Sequence, residues 1–586
     1  MHGRLTLLRF ACPFALAAAC GGEPSQHAPP GQAGMGAFAA TGDAGKPTTA
    51  GTTNGRSGGR GMGAGGSGGL LGGGAGAPAG GVETGAGGGG SGMAASGAGG
   101  LPRAGSGGAA LSSGGAGAGG MTGISGAAGA SSTAGMAGVV GEPPLGPELT
   151  DVTKLTPKTC SIMPAVSLAA SLALVGVAQF TTDFEGAERA IIQFGKTESY
   201  TLEAPVDWAA PAHRTWLLGM PAQTTVHYRV VVLAGGTACI GADATYETGA
   251  APDGTPPNVT LEAGTSPAKA APGFIIGEKY TGSGEHYFAY IVNGEGEVVW
   301  AHQFPITPTR ALMSWDGKYL YARDLGATVG ATGGSIFRVA MDGSGETVLQ
   351  VPGGAHHDLV AIPTGFAYIA RAEDNACDHI FTADPDGTNA KSLVDLDAVF
   401  SHFTYGAGTF TFDHCHVNAI RYYRDDDSYS VSDREKDVIG VVSGQGAILG
   451  SVGAKPTSDT PNHAIAEGAD SEIDSVWRVQ HGHDLYQPNK LILWSNGIYH
   501  DGTSHVLHYT LTGATAQLDW QYTGAGNSPT GSDAQHLPNG NFIVTNTRTG
   551  DVHELDETGK LVRVFRALAN GYACHRSTLY GPPPGR

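Results

Sequence analysis

From Pro252 to its end, the chain repeats one pattern of an apolar strand, a tight turn and two further strands. Turn dipeptides such as Asp342-Gly343 and Asn539-Gly540 suit tight hairpins, and no long helical period interrupts them. Repeats of about 40 to 60 residues made of antiparallel strands are typical of a propeller, in which radial repetition protects the sheet edges. The units begin near Gly273, Arg310, His356, Asp413, His481 and Ser532. The pattern therefore predicts an all-β chain with a six-bladed β-propeller over residues 270–586.

The region ahead of the propeller, residues 155–255, contains shorter β-rich segments separated by Gly, Pro, Asp or Asn turns. This spacing predicts a small antiparallel β-sandwich of the fibronectin III type. Cys160 and Cys239 bracket this domain, and we expect them to pair in an oxidising compartment. The domain shows no catalytic pattern, which favours a structural or docking role.

Residues 21–150 are dominated by Gly, Ala and Ser and almost lack aromatic residues. Such a segment cannot bury enough apolar surface to offset the entropy of ordering, so its composition predicts a disordered tether. Residues 1–20 carry Arg4 and Arg9 and then an apolar run that ends at Cys20, as in an export signal peptide.

The stretch LAAACGG at 16–22 resembles a bacterial lipoprotein processing site. The resemblance implies that Cys20 is lipidated and that a lipid anchor holds the protein at a membrane of the bacterial cell envelope. A cleaved ordinary signal with an incidental cysteine is the alternative.

The formal net charge is -19, from 52 acidic and 33 basic residues. A nucleic-acid-binding protein needs a basic footprint, so the net charge argues against this class of function. The protein as a whole would repel an anionic substrate, and any anion site must be made locally by a few Arg and His residues. Cys377, Cys415 and Cys574 are odd in number, and no CxxC pair suggests a zinc site. We expect no metal and no other cofactor.

Polar residues mark the starts of the repeating units, and the first strand of each propeller blade lines the central channel. These residues are Arg310, His356, His357, His416, Asn418, His481, His483 and Ser532. The richest stretch is 413–434, where a period of two directs imidazoles and an amide from one strand, and hydroxyls and Arg434 from the next, to one face. Arg offers a planar fork of donors and neutral His donates or accepts one proton, so this cluster suits a small anion.

Five motifs occur in a characteristic order: HHD at 356–358, D-x-x-H-x-N at 413–418, DDSYSVSDR at 426–434, HGHD at 481–484 and LPNGN at 537–541. Together they resemble the bacterial aryl sulfotransferases that use phenolic sulfate esters as donors, across residues 155–586. The resemblance implies a six-bladed propeller in which a central histidine takes the sulfuryl group from an aryl sulfate and passes it to an acceptor phenol. It implies no nucleotide sulfate donor.

Position by position, the resemblance makes His483 of the HGHD motif the nucleophile. It implies that His357, His416 and Arg434 bind the sulfuryl oxygens or move protons. His356 is the alternative to His357 in that role.

The resemblance and the unit alignment also imply substrate-binding residues. Asn418 would assist the sulfuryl-binding groups, Ser532 stands where the family has a hydroxyl residue, and Arg310 is aligned with the channel lining. The chain departs from the family at 418–419, where Asn-Ser is usual, and at 495–497, where Asp-Asn-Gly is usual. The family has a single histidine where His481 precedes the proposed nucleophile.

Two other functions fit the same residues. The pairs His414 with His416 and His481 with His483 could each direct two rings to one side of a strand and share a zinc, copper or iron ion. Arg434 argues against this site, because a guanidinium beside a cation is unfavourable unless an anion lies between them. The second alternative is a non-catalytic propeller displayed on the cell surface for binding, which a long lipid-anchored tether would suit.

Overall fold

The computed structural model describes residues 149–583, except 211, 282–285, 325–333, 372–376, 405–414, 455–461, 466–476, 487–488 and 498–501. The predicted signal peptide, Cys20, the tether and His414 lie outside the described residues. The described part is almost entirely β, with one α-helix, α1 (Asp397–Phe400), and a 3-10 turn at Val152–Lys154. The predicted all-β class is thus confirmed. None of the helices in this part has the length and apolar character needed to cross a membrane.

Between residues 149 and 250, the described residues form nine strands in two sheets. They are β1 (Thr156–Pro157), β2 (Ile162–Leu168), β3 (Gly176–Thr182), β4 (Arg189–Gly195), β5 (Leu202–Pro205), β6 (Thr215–Leu217), β7 (Thr225–Ala234), β8 (Thr237–Ile240) and β9 (Ala244–Glu247). The larger sheet has the order β1-β8-β7-β4-β5 with β9 beside β7, and the smaller one has the order β2-β3-β6. Phe194 and Val230 of the larger sheet share a core with Phe180 of the smaller one. A disulfide joins Cys160 to Cys239, with 5.9 Å between their Cα atoms.

The strand β10 (Leu261–Ala263) leads into six four-stranded groups, which we number as units 1 to 6. Unit 1 contains β11 (Phe274–Thr281), β12 (His286–Asn293), β13 (Val298–Phe304) and the last strand of the chain, β35 (Cys574–Arg576). Unit 2 contains β14 (Pro308–Met313), β15 (Tyr319–Asp324), β16 (Ile336–Ala340) and β17 (Thr347–Leu349). Unit 3 contains β18 (Ala355–Ile362), β19 (Gly365–Ala370), β20 (His379–Ala383) and β21 (Lys391–Asp395).

The second half of the ring has the same plan. Unit 4 contains β22 (Val417–Tyr423), β23 (Ser428–Asp433), β24 (Val438–Ser443) and β25 (Ile448–Gly453). The short strand β26 (Asn462–Ile465) pairs in parallel with β25 and with β30, and so joins units 4 and 5. Unit 5 contains β27 (Gln480–Tyr486), β28 (Lys490–Ser495), β29 (His505–Thr512) and β30 (Thr515–Tyr522). Unit 6 contains β31 (Asp533–His536), β32 (Phe542–Asn546), β33 (Asp551–Leu555) and β34 (Leu561–Phe565), with β10 at its outer edge.

The first strands of successive units lie against one another, from β11 and β14 through β18, β22 and β27 to β31. The carboxyl-terminal strand β35 pairs with β11 and closes the ring. Beside it, Nε2 of Gln535 on β31 donates to the carbonyl of Ala573 at 2.9 Å. This radial order of antiparallel sheets is that of a propeller, and it brings residues far apart in sequence to one axis.

The sandwich packs on the propeller through apolar side chains. Leu172, Val175 and Leu218 belong to the same buried core as Phe274 and Met341 of units 1 and 2. The hydroxyl of Tyr580, near the end of the chain, donates to the carbonyl of Trp216 at 3.0 Å.

Four of the inner strands break their register where polar residues occur. The breaks lie between Pro308 and Arg310, Ala355 and Leu359, Val417 and Ala419, and Gln480 and His483. A β-bulge interrupts the alternation of side chains and turns them toward new neighbours. A strict period of two therefore does not hold at these positions.

Candidate active site

The inner ends of units 3, 4 and 5 bring His357, His416, Arg434 and His481 together, and we call this group the inner site. His357 lies on β18, His416 immediately precedes β22, Arg434 immediately follows β23, and His481 lies on β27. Burial lowers the pKa of both His357 and His481, and the charges of Arg434 and His416 add to this effect on both rings. All four residues are buried. The structure thus brings together three of the four predicted catalytic residues.

Three imidazoles of the inner wall form a continuous chain. His356 Nδ1 lies 2.7 Å from His357 Nδ1, and His357 Nε2 lies 3.0 Å from His416 Nε2. Consecutive residues of a regular strand point to opposite faces, but His357 lies in the bulge of β18 with φ at 53°. This left-handed conformation is uncommon for a residue other than glycine, and it coincides with two neighbouring rings in contact. His356 and His357 are therefore both part of one chain, and neither replaces the other.

A buried carboxylate stands at the far end of this chain. Asp378 Oδ1 lies 2.9 Å from His356 Nε2 and 3.9 Å from Nε of Arg371. The other oxygen of Asp378 accepts a hydrogen bond from the backbone N–H of Val417 at 2.9 Å. Asp378 thus connects the chain of imidazoles to the start of β22.

His481 is held in one orientation by Asn496. The amide nitrogen of Asn496 donates to the carbonyls of Ser528 at 2.7 Å and Gly531 at 3.2 Å, so its Oδ1 faces His481 Nδ1. His481 Nδ1 must therefore carry the proton, which leaves the lone pair on Nε2. Burial, with the charge of Arg434 nearby, lowers the pKa of His481 to about 3. The ring is neutral at physiological pH.

His483, the predicted nucleophile, lies apart from the inner site. Its Nε2 is 2.7 Å from the hydroxyl of Ser430, which also bonds the hydroxyl of Tyr423. Burial lowers the pKa of His483 well below its ordinary value, and the charge that adds to this effect is that of Arg421. The register break between Gln480 and His483 gives His481 and His483 different surroundings. The structure thus places His481, and not His483, within reach of the charge of Arg434, and the role of His483 as nucleophile stays a prediction.

Asn418 and Ser532 are buried beside β27. Asn418 Nδ2 donates to the carbonyl of Gln480 at 2.8 Å, one residue before His481. The carbonyl oxygen of Ser532 accepts a hydrogen bond from the backbone N–H of Gly482 at 3.1 Å. Its Oγ accepts a hydrogen bond from the backbone N–H of Thr547 at 3.2 Å. Both residues therefore support the strand that carries His481, and substrate binding by them stays a prediction.

Arg310 belongs to a buried network of charges that we call the axial ion network, with Asp358, Arg421 and Asp533. Arg310 Nε donates to Asp358 at 3.0 Å, and Arg421 donates to Asp358 at 3.4 Å and to Asp533 at 2.6 Å. These side chains are at most 1% exposed, and they come from units 2, 3, 4 and 6. Arg310 is thus paired with Asp358 inside the ring, and substrate binding by Arg310 stays a prediction.

The alternative of a metal shared by HxH pairs finds no support. His481 and His483 contact different groups, and His414 lies outside the described residues. Where side chains are described, one set of three residues has its potential ligand atoms close enough for an ion, namely Glu198, His227 and Asp243 in the sandwich. None of the inner-site histidines belongs to that set.

Sequence reasoning missed Asp378 and Asn496. Neither lies on the first strand of a unit: Asp378 immediately precedes β20, and Asn496 immediately follows β28. Cys377 and Cys415 form a disulfide, and each directly precedes a site residue, Asp378 or His416. The sequence signal for Asp378 was its position next to Cys377. This position is informative only once the pairing of Cys377 with Cys415 is known. Cys574 is buried as a thiol beside the axial ion network.

The fold and the site define an all-β propeller with a buried histidine and arginine cluster at its axis. Residues 262–544 match the family described as Arylsulfotransferase (ASST). This match confirms the resemblance of the motifs to the arylsulfotransferase family over residues 262–544. No curated protein matches the chain.

Two similar solved structures have low sequence identity to this chain. "KlHsv2 with loop 6CD replaced by a Gly-Ser linker" shares 8% identity over 62% of this chain and 93% of that chain, with a TM-score of 0.27. The β-propeller domain of the Trilobed protease from Pyrococcus furiosus shares 10% identity over 64% of this chain and 98% of that chain, with a TM-score of 0.24. At such scores we draw no functional conclusion from either protein.

Proposed function

We propose that this protein is an aryl sulfotransferase that moves a sulfuryl group from a phenolic sulfate ester to a phenol, with no nucleotide sulfate donor. The group passes through a sulfohistidine on His481. The family match supports sulfotransferase chemistry in general. The observation that carries the finer proposal is the fixed ring of His481, with its neutral Nε2 lone pair in the same buried cluster as Arg434 and His416.

The two half-reactions balance at this ring. In the first, His481 Nε2 forms a bond to sulfur as the bond from sulfur to the aryl oxygen breaks, and the departing phenolate takes a proton. In the second, the acceptor phenol loses a proton as its oxygen attacks the sulfur, and the electron pair of the N–S bond returns to Nε2. A covalent intermediate divides one difficult step into two easier ones.

The low pKa of His481 suits such an intermediate. A nitrogen of low basicity stays unprotonated at neutral pH. It is also a good leaving group when its bond to sulfur breaks. The first property keeps the attacking lone pair available, and the second favours transfer onward to the acceptor. With a pKa of about 3, protonation of His481 should not limit turnover above pH 4.

The surroundings of His481 supply positive charge for the three spectator oxygens. Arg434 is the guanidinium whose charge reaches both His357 and His481. Arg323, buried on β15, also acts on His357, and its Nη1 donates to Thr309 Oγ1 at 2.7 Å. Nε of Arg434 also donates to the buried carboxylate of Glu435 at 3.0 Å, which leaves the remaining guanidinium nitrogens to face the sulfuryl oxygens in this proposal.

We expect Arg434→Gln to lower kcat by about 100- to 1,000-fold, as does the loss of one donor to a developing anion elsewhere. The matched control is Lys436→Gln, because Lys436 is equally buried nearby but donates to the backbone carbonyl of Phe403 at 3.2 Å. Steady-state turnover of a chromogenic aryl sulfate, with unfolding midpoints for both variants, provides the measurement. Equal losses of activity in the two variants would contradict a role for Arg434 in stabilising the transition state.

Initial rates of the full-length protein test the function as a whole. We expect parallel lines in double-reciprocal plots when aryl sulfate and phenol are varied together, with no nucleotide added. Folded protein that releases no phenol from any aryl sulfate would favour the non-catalytic binding propeller.

We also propose that a lipid on Cys20 anchors the protein at the cell envelope. The signal-like residues 1–20 and the two disulfides, Cys160–Cys239 and Cys377–Cys415, support export to an oxidising compartment. In a bacterial host we expect the native chain in the membrane fraction and Cys20→Ser in the soluble fraction. Cys12→Ser, in the same signal, is the control and should stay with the membrane; a soluble native chain would contradict the anchor.

A further inference from the structure

The inner site crosses the seam between units 3 and 4 of the ring. His357 lies on β18 of unit 3, and His416 immediately precedes β22 of unit 4. The Nε2 atoms of these two rings lie 3.0 Å apart. Their separation therefore depends on how closely the two units are held to each other at this point.

The backbone of His416 is held to its own unit just outside the regular strand. Its carbonyl accepts a hydrogen bond from the backbone N–H of Arg434 at 3.1 Å. Its own N–H donates to Asp433 Oδ1 at 3.4 Å. Both partners belong to the end of β23 in unit 4, so neither contact fixes His416 relative to unit 3.

A covalent link joins the two units beside His416. Cys377 immediately precedes Asp378, ahead of β20 in unit 3, and Cys415 immediately precedes His416. The disulfide between these cysteines brings their Cα atoms to 5.1 Å, although 38 residues separate them in sequence. Both cysteines are buried. The covalent link between units 3 and 4 thus lies one peptide bond from His416.

Two hydrogen bonds across the same seam accompany the disulfide. The backbone N–H of Asp378 donates to Cys415 Sγ at 3.1 Å, and Asp378 Oδ2 accepts the backbone N–H of Val417 at 2.9 Å. Asp378 is 1% exposed, so water competes little for either bond. Unit 3 therefore holds the chain on both sides of His416, at Cys415 and at Val417.

From this arrangement we propose that the Cys377–Cys415 disulfide is a redox-dependent positioning device for the inner site, so that sulfuryl transfer requires an oxidising compartment. With the bond formed, His416 is held at the distance from His357 that the structure shows. With two free thiols, the propeller still folds through its sheets, but its covalent hold on His416 is lost. The proposal rests on the sulfotransferase function proposed above and adds a condition under which that function operates.

Formation of this link is a two-electron oxidation. The thiols of Cys377 and Cys415 together lose two protons and two electrons as their S–S bond forms. By thiol–disulfide exchange, these pass to an external disulfide such as glutathione disulfide, which is released as two thiols. A chain that stays in a reducing compartment keeps both thiols, and its inner site stays inactive.

The disulfide of the sandwich provides the matched control. Cys160 and Cys239 are 79 residues apart, against 38 for Cys377 and Cys415. A disulfide that closes a longer loop constrains the unfolded chain more, so its loss should lower stability at least as much. The double variant Cys160→Ala, Cys239→Ala therefore reports the effect of losing a disulfide ahead of the propeller.

Steady-state kinetics of the full-length protein compare the two double variants. Cys377→Ala, Cys415→Ala should lower kcat for an aryl sulfate by about 100-fold, the cost of misplacing a group in the active site by about 1 Å. The ratio kcat/KM should fall together with kcat, because the contact that is lost acts in the transition state. The sandwich variant should keep the native kcat, while unfolding midpoints fall in both. Equal losses of kcat would overturn the proposal.

Oxidation of the native chain gives a second test that needs no cysteine variant. The full-length protein is purified with a reducing agent, and glutathione disulfide then replaces that agent. Samples taken at successive times are alkylated, their disulfides are mapped by mass spectrometry, and their turnover is measured. We expect turnover to rise with the fraction of Cys377–Cys415 bonds and not with that of Cys160–Cys239 bonds. Full turnover before the Cys377–Cys415 bond forms would overturn the proposal.

Hydrogen exchange of the same samples needs no substrate and separates this proposal from the proposed function. We expect the amide of Val417 to exchange at least about 10-fold faster in the reduced chain, because its bond to Asp378 opens more often. The amides of β27 should keep their rates. Equal exchange of Val417 in both redox states would overturn the positioning role. Redox-dependent exchange without turnover of any aryl sulfate would instead contradict the proposed function and support the redox-dependent position of His416.

Discussion

His481→Asn should abolish sulfuryl transfer, with kcat at least about 1,000-fold lower and no covalent intermediate. The variant keeps an N–H donor for Asn496 but lacks the Nε2 lone pair that attacks sulfur. Folding should change little, because the amide of Asn can replace the hydrogen bond that the ring makes. Burst kinetics with a chromogenic aryl sulfate and intact-mass analysis provide the measurement.

His483→Asn is the control, since His483 lies two residues further along the same strand and is equally buried. This variant loses the contact with Ser430 and should be less stable by about 1 to 3 kcal/mol, yet it should still form the intermediate. If His481→Asn is active while His483→Asn is folded but inactive, His483 is the nucleophile.

Arg421→Met should destabilise the propeller by about 3 to 5 kcal/mol, the usual cost of breaking one side of a buried ion pair. Arg421 lies between Asp358 of unit 3 and Asp533 of unit 6, and its loss leaves Asp533 without its main counter-charge, while Asp358 keeps Arg310. Urea unfolding of the full-length protein is the measurement. Arg424→Met, at the exposed end of the same hairpin, removes a surface pair with Asp425 and should cost less than about 1 kcal/mol.

The effect of Arg421→Met should depend on pH. Burial raises the pKa of Asp533 to about 7 even with Arg421 present, and the loss of Arg421 raises it further. A carboxyl group whose pKa is raised by folding stabilises the fold at low pH and destabilises it as pH rises through the folded value. The difference between native and variant should therefore be largest above pH 7 and should shrink toward pH 4. A difference that is the same at pH 5 and pH 8 would contradict this role of Arg421.

Local turn chemistry and strand patterning were sufficient to predict the β-class and the repeating units. Asp342-Gly343 and Asn539-Gly540 lie in tight turns, and Gly343 and Gly540 have φ of 78° and 87°. The parallel strand β26, which joins units 4 and 5, was not predictable because its pairing depends on distant residues.

The part of the candidate site that lies at the starts of the repeating units was predictable from the sequence. His356, His357, His416 and Arg434 were predicted as a cluster, and the structure places them together. The different surroundings of His481 and His483 were not predictable, because a bulge in β27 interrupts the alternation of its side chains. A period of two cannot reveal a register break.

Two further features depend on partners that a sequence does not show. The pairing of Arg310 with Asp358 in a ring of buried charges was not predicted. Asp378 was overlooked because its role depends on the Cys377–Cys415 pairing, and three connectivities were open for three cysteines.

Trapping the intermediate tests the central claim most directly. The full-length protein, mixed with an aryl sulfate and no acceptor, is quenched within one turnover, digested and sequenced by fragmentation mass spectrometry. We predict the mass of one sulfuryl group on His481, lost on addition of a phenol. A sulfuryl group on His483, or release of phenol with no modified histidine, would contradict the account.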